Sequence, residues 1–330
     1  MKPPEKSSIS IVAPCYNEEL VLDEFLSRTH AAGNATGFDY EIILVDDGSV
    51  DGTWGKIDAA AKTEPRVRGL RLFRNHGHQL ALSAGLHEAS GDFILTIDAD
   101  LQDPPELLGD MIALMRAQEA DVVYGKRRSR AGETRFKLWT AHIFYRVLRA
   151  MTAVDIPSDT GDFRLMRRDV VYILNAMPER HRFIRGMVAW IGGRQIPIHY
   201  DRDPRFAGQT KYPLRKMIRF SIDAITSFSR YPLTLAIYVG AGMGALSFFL
   251  GLWSIVSYFF LNTTAGWTSL MTVVTLQFTL VFFCIGMIGE YVGRVFESNQ
   301  NRPLFTTRTR VGCGLNCADM SREPNRQDTT

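Results

Sequence analysis

Between residues 8 and 125 the chain alternates short β-rich apolar runs with stretches of helical period. Strand-like runs fall at 9–13, 40–45, 67–73, 92–97 and 121–124. Helical segments separate them at 18–32, 53–62, 79–89 and 105–118. Such alternation predicts parallel strands with helices on both faces of one sheet. The expected fold class is therefore α/β, with a mostly parallel sheet.

In open α/β sheets, ligands bind beyond the carboxyl ends of the strands. Polar clusters occupy those ends here: Pro14-Cys15-Tyr16-Asn17-Glu18, Asp46-Asp47-Gly48-Ser49, Arg74-Asn75-His76-Gly77 and Asp98-Ala99-Asp100. Residues i and i+2 of an extended segment share a face, so Asp98 and Asp100 can point at one ligand. Gln102 is placed to supply a third oxygen. Hard oxygen ligands suit Mg²⁺ or Mn²⁺, and Mg²⁺ commonly accompanies phosphates. Pro104 and Pro105 then open the next helix, where a missing N–H costs little. Neither G-x-G-x-x-G nor G-x-x-x-x-G-K-[ST] occurs, which argues against a dinucleotide enzyme or a P-loop NTPase. Asp46 and Asp47 can accept hydrogen bonds from a base and a ribose. Asp47-Gly48-Ser49 also reads as a tight turn with a helix cap, and the two readings are compatible.

The pattern changes after residue 230. No Asp, Glu, Lys or Arg occurs between Arg230 and Glu290. A bilayer span takes about 20 apolar residues, so this stretch predicts a transmembrane hairpin, 232–261 and 267–289, broken at 262–266. The structural alternative is a pair of buried core helices. Lys211, Arg215, Lys216, Arg219 and Arg230 precede the first span, and Arg294, Arg302, Arg308 and Arg310 follow the second. By the positive-inside rule both termini, and with them the domain before the first span, face the cytoplasm, and the plasma membrane is the expected site. Segments 134–151 and 214–230 read as basic amphipathic helices at the membrane surface. From 299 onward the polar, Arg-rich tail is expected to be disordered.

Composition adds little against this. The net charge of +3 gives no case for a nucleic-acid partner. Residues 1–8 are polar, and the apolar run after them is too short for a signal peptide. The four cysteines, Cys15, Cys284, Cys313 and Cys317, are scattered, as suits a reducing compartment. Cys313 and Cys317 would make half a metal site with no second half, so they read as free thiols.

The motifs "IVAPCYNEE", "ILVDDGSVDGT", "FRNHGHQLALSAGL", "DADLQDPP", "TGDFRLMRR" and "RFAGQTKY" together resemble family 2 glycosyltransferases of the polyprenyl-phosphate type, over roughly residues 8–295. The resemblance implies a Rossmann-like, GT-A type domain over 1–212, a nucleotide-sugar donor and a lipid phosphate acceptor in the bilayer. Carried over by position, Pro14, Tyr16, Glu18 and Asp46 cradle the nucleoside, with Asp47 and Asn75 completing the donor set. Asp98, Asp100 and Gln102 hold metal and diphosphate, and Asp162 lies beside the donor sugar. Arg205 and Lys211 ligate the acceptor phosphate, with Arg127 and Arg130 as further candidates for it. Thr210 stands where the family pattern usually has Ser and keeps the hydroxyl. No Q-x-x-R-W motif of processive relatives is present. The resemblance favours UDP-glucose; GDP-mannose, other UDP-sugars and modified arabinose stay open. It also suggests a homotetramer packed through the hairpins.

The acceptor simplifies the chemistry. A phosphate monoester, with a second pKa near 6, is mostly dianionic at neutral pH and needs no protein base. Direct displacement with inversion is the expected step. Asp162 would orient the sugar or stabilise developing positive charge; its structural alternative is a buried salt bridge to an Arg such as Arg164. Rival functions are transfer to a diacylglycerol or protein hydroxyl, which needs a base, and a non-catalytic scaffold that binds nucleotide sugar.

Overall fold

The computed structural model of the chain describes residues 7–128, 160–180, 182–201, 231–260, 266–300 and 302–312. They fall into two compact units, one of 7–128, 160–201 and 303–312, the other of 231–302. The expected surface helices 134–151 and 214–230, the break at 262–265, and Arg130, Arg205 and Lys211 lie outside the described residues.

The first unit is built on one sheet. Its strands are β1 (Ser8–Cys15), β2 (Asp39–Asp46), β3 (Val67–Leu72), β4 (Phe93–Thr96), β5 (Val122–Arg127), β6 (Thr160–Arg167), β7 (Gln195–Tyr200) and β8 (Thr307–Val311). Their spatial order is β7-β5-β6-β4-β1-β2-β3-β8. β1 pairs in parallel with β2 and β4, and β2 with β3, so the centre of the sheet is parallel as expected. These strands are buried along nearly their whole length, as a sheet covered on both faces requires. Helices α1 (Leu22–Thr36), α2 (Thr53–Thr63), α3 (His78–Glu88) and α4 (Leu108–Ala117) follow the first four strands, α4 after a 3-10 turn at Pro105–Leu107.

Three differences from the sequence expectation bear on the site. First, α1 starts at Leu22, not at 18. The residues before it are tied to the loop after β2 instead. Asn17 sits at φ 54, its N–H bonded to Ser49 Oγ at 3.0 Å and its Oδ1 accepting from Val50 N. The Glu18 N–H donates to Thr53 Oγ1 at 2.9 Å, and Glu19 accepts from Gly52 N. These bonds compete with the first helical turn.

Second, β6 inserts antiparallel between β4 and β5, and β7 runs parallel to β5 at the edge. The sheet is thus mixed at this end. Two short helices, α5 (Arg168–Ala176) and α6 (Ile184–Ile191), connect β6 to β7.

Third, the tail is not disordered throughout. Thr307–Val311 forms β8, antiparallel to β3, and Phe73 N donates to Thr306 O at 3.0 Å. Arg310 Nε also lies 3.0 Å from Glu88 Oε1. An unpaired edge of β3 would leave backbone groups open, and the polar tail satisfies them. Composition alone misread this segment, because a strand of alternating Thr and Arg at a sheet edge carries little apolar signal.

The second unit holds α7 (Tyr231–Phe260) and α8 (Trp267–Asn299). Among the described residues one stretch, Leu276–Gly293 in α8, is long and apolar enough to cross a membrane; Ala236–Leu250 in α7 is a shorter apolar segment. The two helices touch through a Ser247–Gln277 side-chain hydrogen bond and through Cys284, whose Sγ lies 3.8 Å from Ala236 O. Phe248, Phe249, Trp253, Phe278, Phe282 and Phe283 are exposed along them.

Candidate active site

The site lies at the carboxyl ends of β1, β2 and β4 and takes its remaining groups from the start of α3, from β6 and from α6. At the nucleoside end, Asp46 is fully buried. Its Oδ1 accepts the Ser49 amide at 2.9 Å, and Arg71 Nε lies 3.4 Å from Oδ2. Arg71 in turn sits over the Trp54 ring, 5.5 Å from its centroid. Pro14 is buried, while Tyr16 is exposed and Glu18 half-buried beside it.

Asp47 does something else. Its Oδ1 accepts the His76 amide at 2.7 Å and its Oδ2 the Gly77 amide at 2.9 Å. Both carboxylate oxygens are thus engaged by the loop between β3 and α3. The Asp47-Gly48-Ser49 turn is held by Asp46, which accepts the Ser49 amide, rather than by Asp47. Gly48, at φ 68, lets the same loop approach: a Cβ there would stand 2.6 Å from the Arg74 carbonyl carbon and 2.7 Å from Asn75 N. Asn75 itself is exposed on that loop.

Carboxylates crowd at the end of β4. Asp100 and Asp103 are buried, and Asp98, two residues past the end of β4, is half-buried. The turn is held locally: Leu101 takes φ 60 and Gln102 N donates to Asp100 Oδ1 at 3.2 Å. Burial, together with the charges of Asp103, Asp162 and Asp100, pushes the Asp98 carboxyl up to about 6, against the opposing pull of His78. Asp98 Oδ1 accepts no hydrogen bond among the described residues. Asp103 is engaged by the Tyr200 hydroxyl, which donates to Oδ1, and by Arg127, whose Nη2 stands 3.9 Å away. Arg127 Nε also donates to the Tyr200 hydroxyl at 3.4 Å.

Asp162 is the buried centre. It enters on β6, whose position is fixed by Thr96: the Thr96 hydroxyl donates to the Asp162 carbonyl oxygen. Its Oδ2 accepts from Gln79 Nε2 at 2.7 Å and from His78 Nε2 at 3.2 Å. Arg185 Nε lies 3.6 Å from Oδ1. Burial alone would raise its pKa, but Arg185, His78 and Arg164 outweigh that and hold it well below the usual carboxylate range. It is therefore a stable anion. The expected salt-bridge partner, Arg164, bonds the Gly161 carbonyl at 3.1 Å instead, and the ion pair is made by Arg185. His78 bridges the two acidic groups, with Nε2 3.4 Å from Asp98 Oδ1 as well. Burial disfavours its cation, yet Asp98 and Asp162 raise its pKa to about 9.

The structure thus brings together Asp98, Asp162 and Arg127 of the predicted set, with Asp46 and Asp47 at the end of β2, two strands from β4. Sequence reasoning reads Asp103 only as one of three crowded acids after β4, and His78, like His76, only as a donor-site or structural residue; it misses Gln79, Arg185 and Tyr200 as site residues. His78 and Gln79 carried a faint signal: they are polar at the start of a helix whose 81–86 stretch is entirely buried. Arg185 and Tyr200 carried none.

The chain matches Glycosyl transferase family 2 over residues 10–173. It is 44% identical over 306 residues to a Bacillus subtilis (strain 168) protein described as an uncharacterized glycosyltransferase, YkcC, covering 92% of this chain and 94% of that protein. It is 37% identical over 298 residues to a prophage bactoprenol glucosyl transferase homolog of Escherichia coli (strain K12), covering 90% of this chain and 97% of that one. Among solved structures, Staphylococcus aureus TarS 1-349 in complex with UDP-GlcNAc aligns with a TM-score of 0.46 at 17% identity, over 70% of this chain and 66% of that one. The parallel-centred α/β sheet, the acidic strand ends and relatives matched over nine-tenths of the chain lead to one conclusion: the chain belongs to glycosyl transferase family 2 and is a glycosyltransferase.

Proposed function

We propose that the enzyme transfers glucose from UDP-glucose, with inversion, to a polyprenyl phosphate at the cytoplasmic face of a membrane. The carrying observation is the buried Asp162, its ionised form favoured by Arg185 and His78, beside the crowded carboxylates of Asp98, Asp100 and Asp103. A relative matched over 90% of this chain and named a bactoprenol glucosyl transferase homolog supports the acceptor and the sugar.

The residues fit a divalent cation. Asp98 is a crowded carboxylate whose Oδ1 accepts no hydrogen bond among the described residues, and an added positive charge would relieve the repulsion. No three Asp, Glu, His or Cys side chains form a ready-made cage among the described residues; a site completed by substrate phosphate and water fits that arrangement. Mg²⁺ or Mn²⁺ would be held by Asp98 and Asp100, with Gln102 as a third oxygen, and would offset charge on the departing nucleotide diphosphate.

The chain's own groups do the rest. Asp46 and Arg71 form the floor for the base. Asp47 fixes the loop over the donor, with Pro14, Tyr16, Glu18 and Asn75 lining the same end. Asp162 stays anionic and faces positive charge that develops at the anomeric carbon. Removing a proton is not its task, because the acceptor is already anionic. Arg127, held by Tyr200 and Asp103, would meet the acceptor phosphate together with Arg130, Arg205 and Lys211. The apolar, exposed faces of α7 and α8 support a transmembrane hairpin, the basic residues that flank it support cytoplasmic termini, and the family resemblance supports a homotetramer.

A panel of labelled donors, UDP-glucose, other UDP-sugars and GDP-mannose, is incubated with full-length protein, Mn²⁺ and undecaprenyl phosphate, and the lipid product is weighed by mass spectrometry. A hexosyl-phosphoryl lipid formed from UDP-glucose is the expected result. Transfer to a lipid hydroxyl, or nucleotide-sugar binding without turnover, would overturn the reading.

A further inference from the structure

Gln79 has no part in the reading above, yet its amide touches two elements of the site. Gln79 Nε2 donates to Asp162 Oδ2 at 2.7 Å, and Gln79 Oε1 accepts the Ile184 backbone N–H at 2.8 Å. The second bond fixes the first. A backbone N–H can only donate, so the oxygen end of the amide must face Ile184 and the NH₂ end must face Asp162. Ile184 opens α6, where backbone N–H groups have no helical acceptor, so rotating the amide would leave that donor unpaired. The next residue, Arg185, reaches back to the same carboxylate and bonds the Thr160 carbonyl at 2.9 Å. One side chain thus ties α3, β6 and α6 to a single orientation of Asp162.

The two oxygens of Asp162 consequently differ. Oδ2 is taken by Gln79 and His78. Oδ1 accepts no hydrogen bond among the described residues and has Arg185 Nε at 3.6 Å. We infer that Gln79 is the positioning residue of the transfer reaction: by holding Oδ2 it fixes the orientation of the Asp162 carboxylate within the site. This rests on the role given to Asp162 in the proposed function. The inference concerns geometry at the reacting centre, so it predicts a loss in kcat with donor binding preserved. Misplacement of a reacting group by an ångström can cost on the order of 10²-fold in rate.

The test uses full-length protein, Mn²⁺, undecaprenyl phosphate and whichever donor of the panel is active. Gln79→Leu removes both bonds. Gln79→Glu keeps the acceptor for Ile184 N–H and sets a carboxylate against Asp162, so it retains the packing while reversing the contact. Both should lower kcat by roughly 10- to 100-fold, with the donor KM and UDP affinity within about twofold of wild type. In an Asp162→Asn background, Gln79→Leu should add nothing, because the negative charge it positions is gone. Wild-type kcat in both Gln79 variants, alongside an impaired Asp162→Asn, overturns the positioning role alone. So does a double variant whose losses multiply, or the absence of a folding transition in both variants. Full activity in Asp162→Asn, or no lipid-linked sugar from the wild type with any donor, overturns the reading of Asp162 and the role of Gln79 with it.

Discussion

His78 and Asp162, on α3 and β6, meet at 3.2 Å between Nε2 and Oδ2, and the same imidazole nitrogen stands 3.4 Å from Asp98 Oδ1. A single protonated ring therefore lies between the carboxylate assigned to the metal and the one assigned to the sugar. Its charge offsets both, which is how the fold tolerates so many acids at one strand end.

That relationship predicts a pH-dependent stability. The folded-state pKa of His78, about 9, exceeds the unfolded value near 6.5. A raised histidine pKa contributes stability that is complete below the unfolded pKa and is lost as pH rises through the folded one. In chelator-treated protein, wild type should melt higher than His78→Gln at about pH 6, and the gap should close toward about pH 10. A gap constant over that window would mean the ring is neutral.

Asp100→Asn should abolish turnover while leaving the fold intact. The Gln102 amide that bonds Asp100 Oδ1 finds the same acceptor in an asparagine carbonyl, so the turn survives and one negative charge is lost. The loss in activity should exceed the roughly 10- to 100-fold typical of changes that only support a metal ligand. Titration of Mn²⁺ by calorimetry should show weaker binding in step with the rate. Wild-type Mn²⁺ affinity would remove Asp100 from the site.

Asp47→Asn should destabilise the protein. An asparagine offers one oxygen and one NH₂ where two backbone N–H groups, of His76 and Gly77, now both find acceptors. Leaving one buried donor facing another costs about 1–3 kcal/mol. Thermal denaturation should report this loss, and the donor KM should rise because the loop over the nucleotide loosens. An unchanged melting temperature would mean the loop is held by other contacts.

Gly312→Ala tests whether β8 matters to the folded domain. Gly312 holds φ 79 at the end of the strand, and a Cβ there would lie 2.2 Å from the Val67 carbonyl oxygen. The strain of about 1–3 kcal/mol should free the edge of β3. Increased hydrogen exchange at Gly69–Leu72 amides and a lower melting temperature are expected. Exchange at wild-type rates would show that the tail contributes nothing there.

The parallel centre of the fold was legible because its strands are continuous apolar runs and its helices have apolar periods, both local signals. The strand-end acids were legible for the same reason: Asp46 and Asp98 fall where apolar runs stop. β6 and β7 were not seen, since their apolar residues are interrupted by Gly161, Asp162 and Arg164 in one and by Pro197 and His199 in the other. β8 was taken for disorder because an edge strand facing water needs no apolar face.

The amino-acid sequence on its own determined the layered α/β domain, the charge-free segment after Arg230 and the acids at the strand ends, because each depends on residues close together along the chain. Which groups surround Asp162 was decided by folding alone. His78 and Gln79 stand 84 and 83 residues from it along the chain, and Gln79 stands 105 from Ile184. No period or spacing encodes such distances; only the antiparallel insertion of β6 beside β4, with α6 packed over its end, closes them.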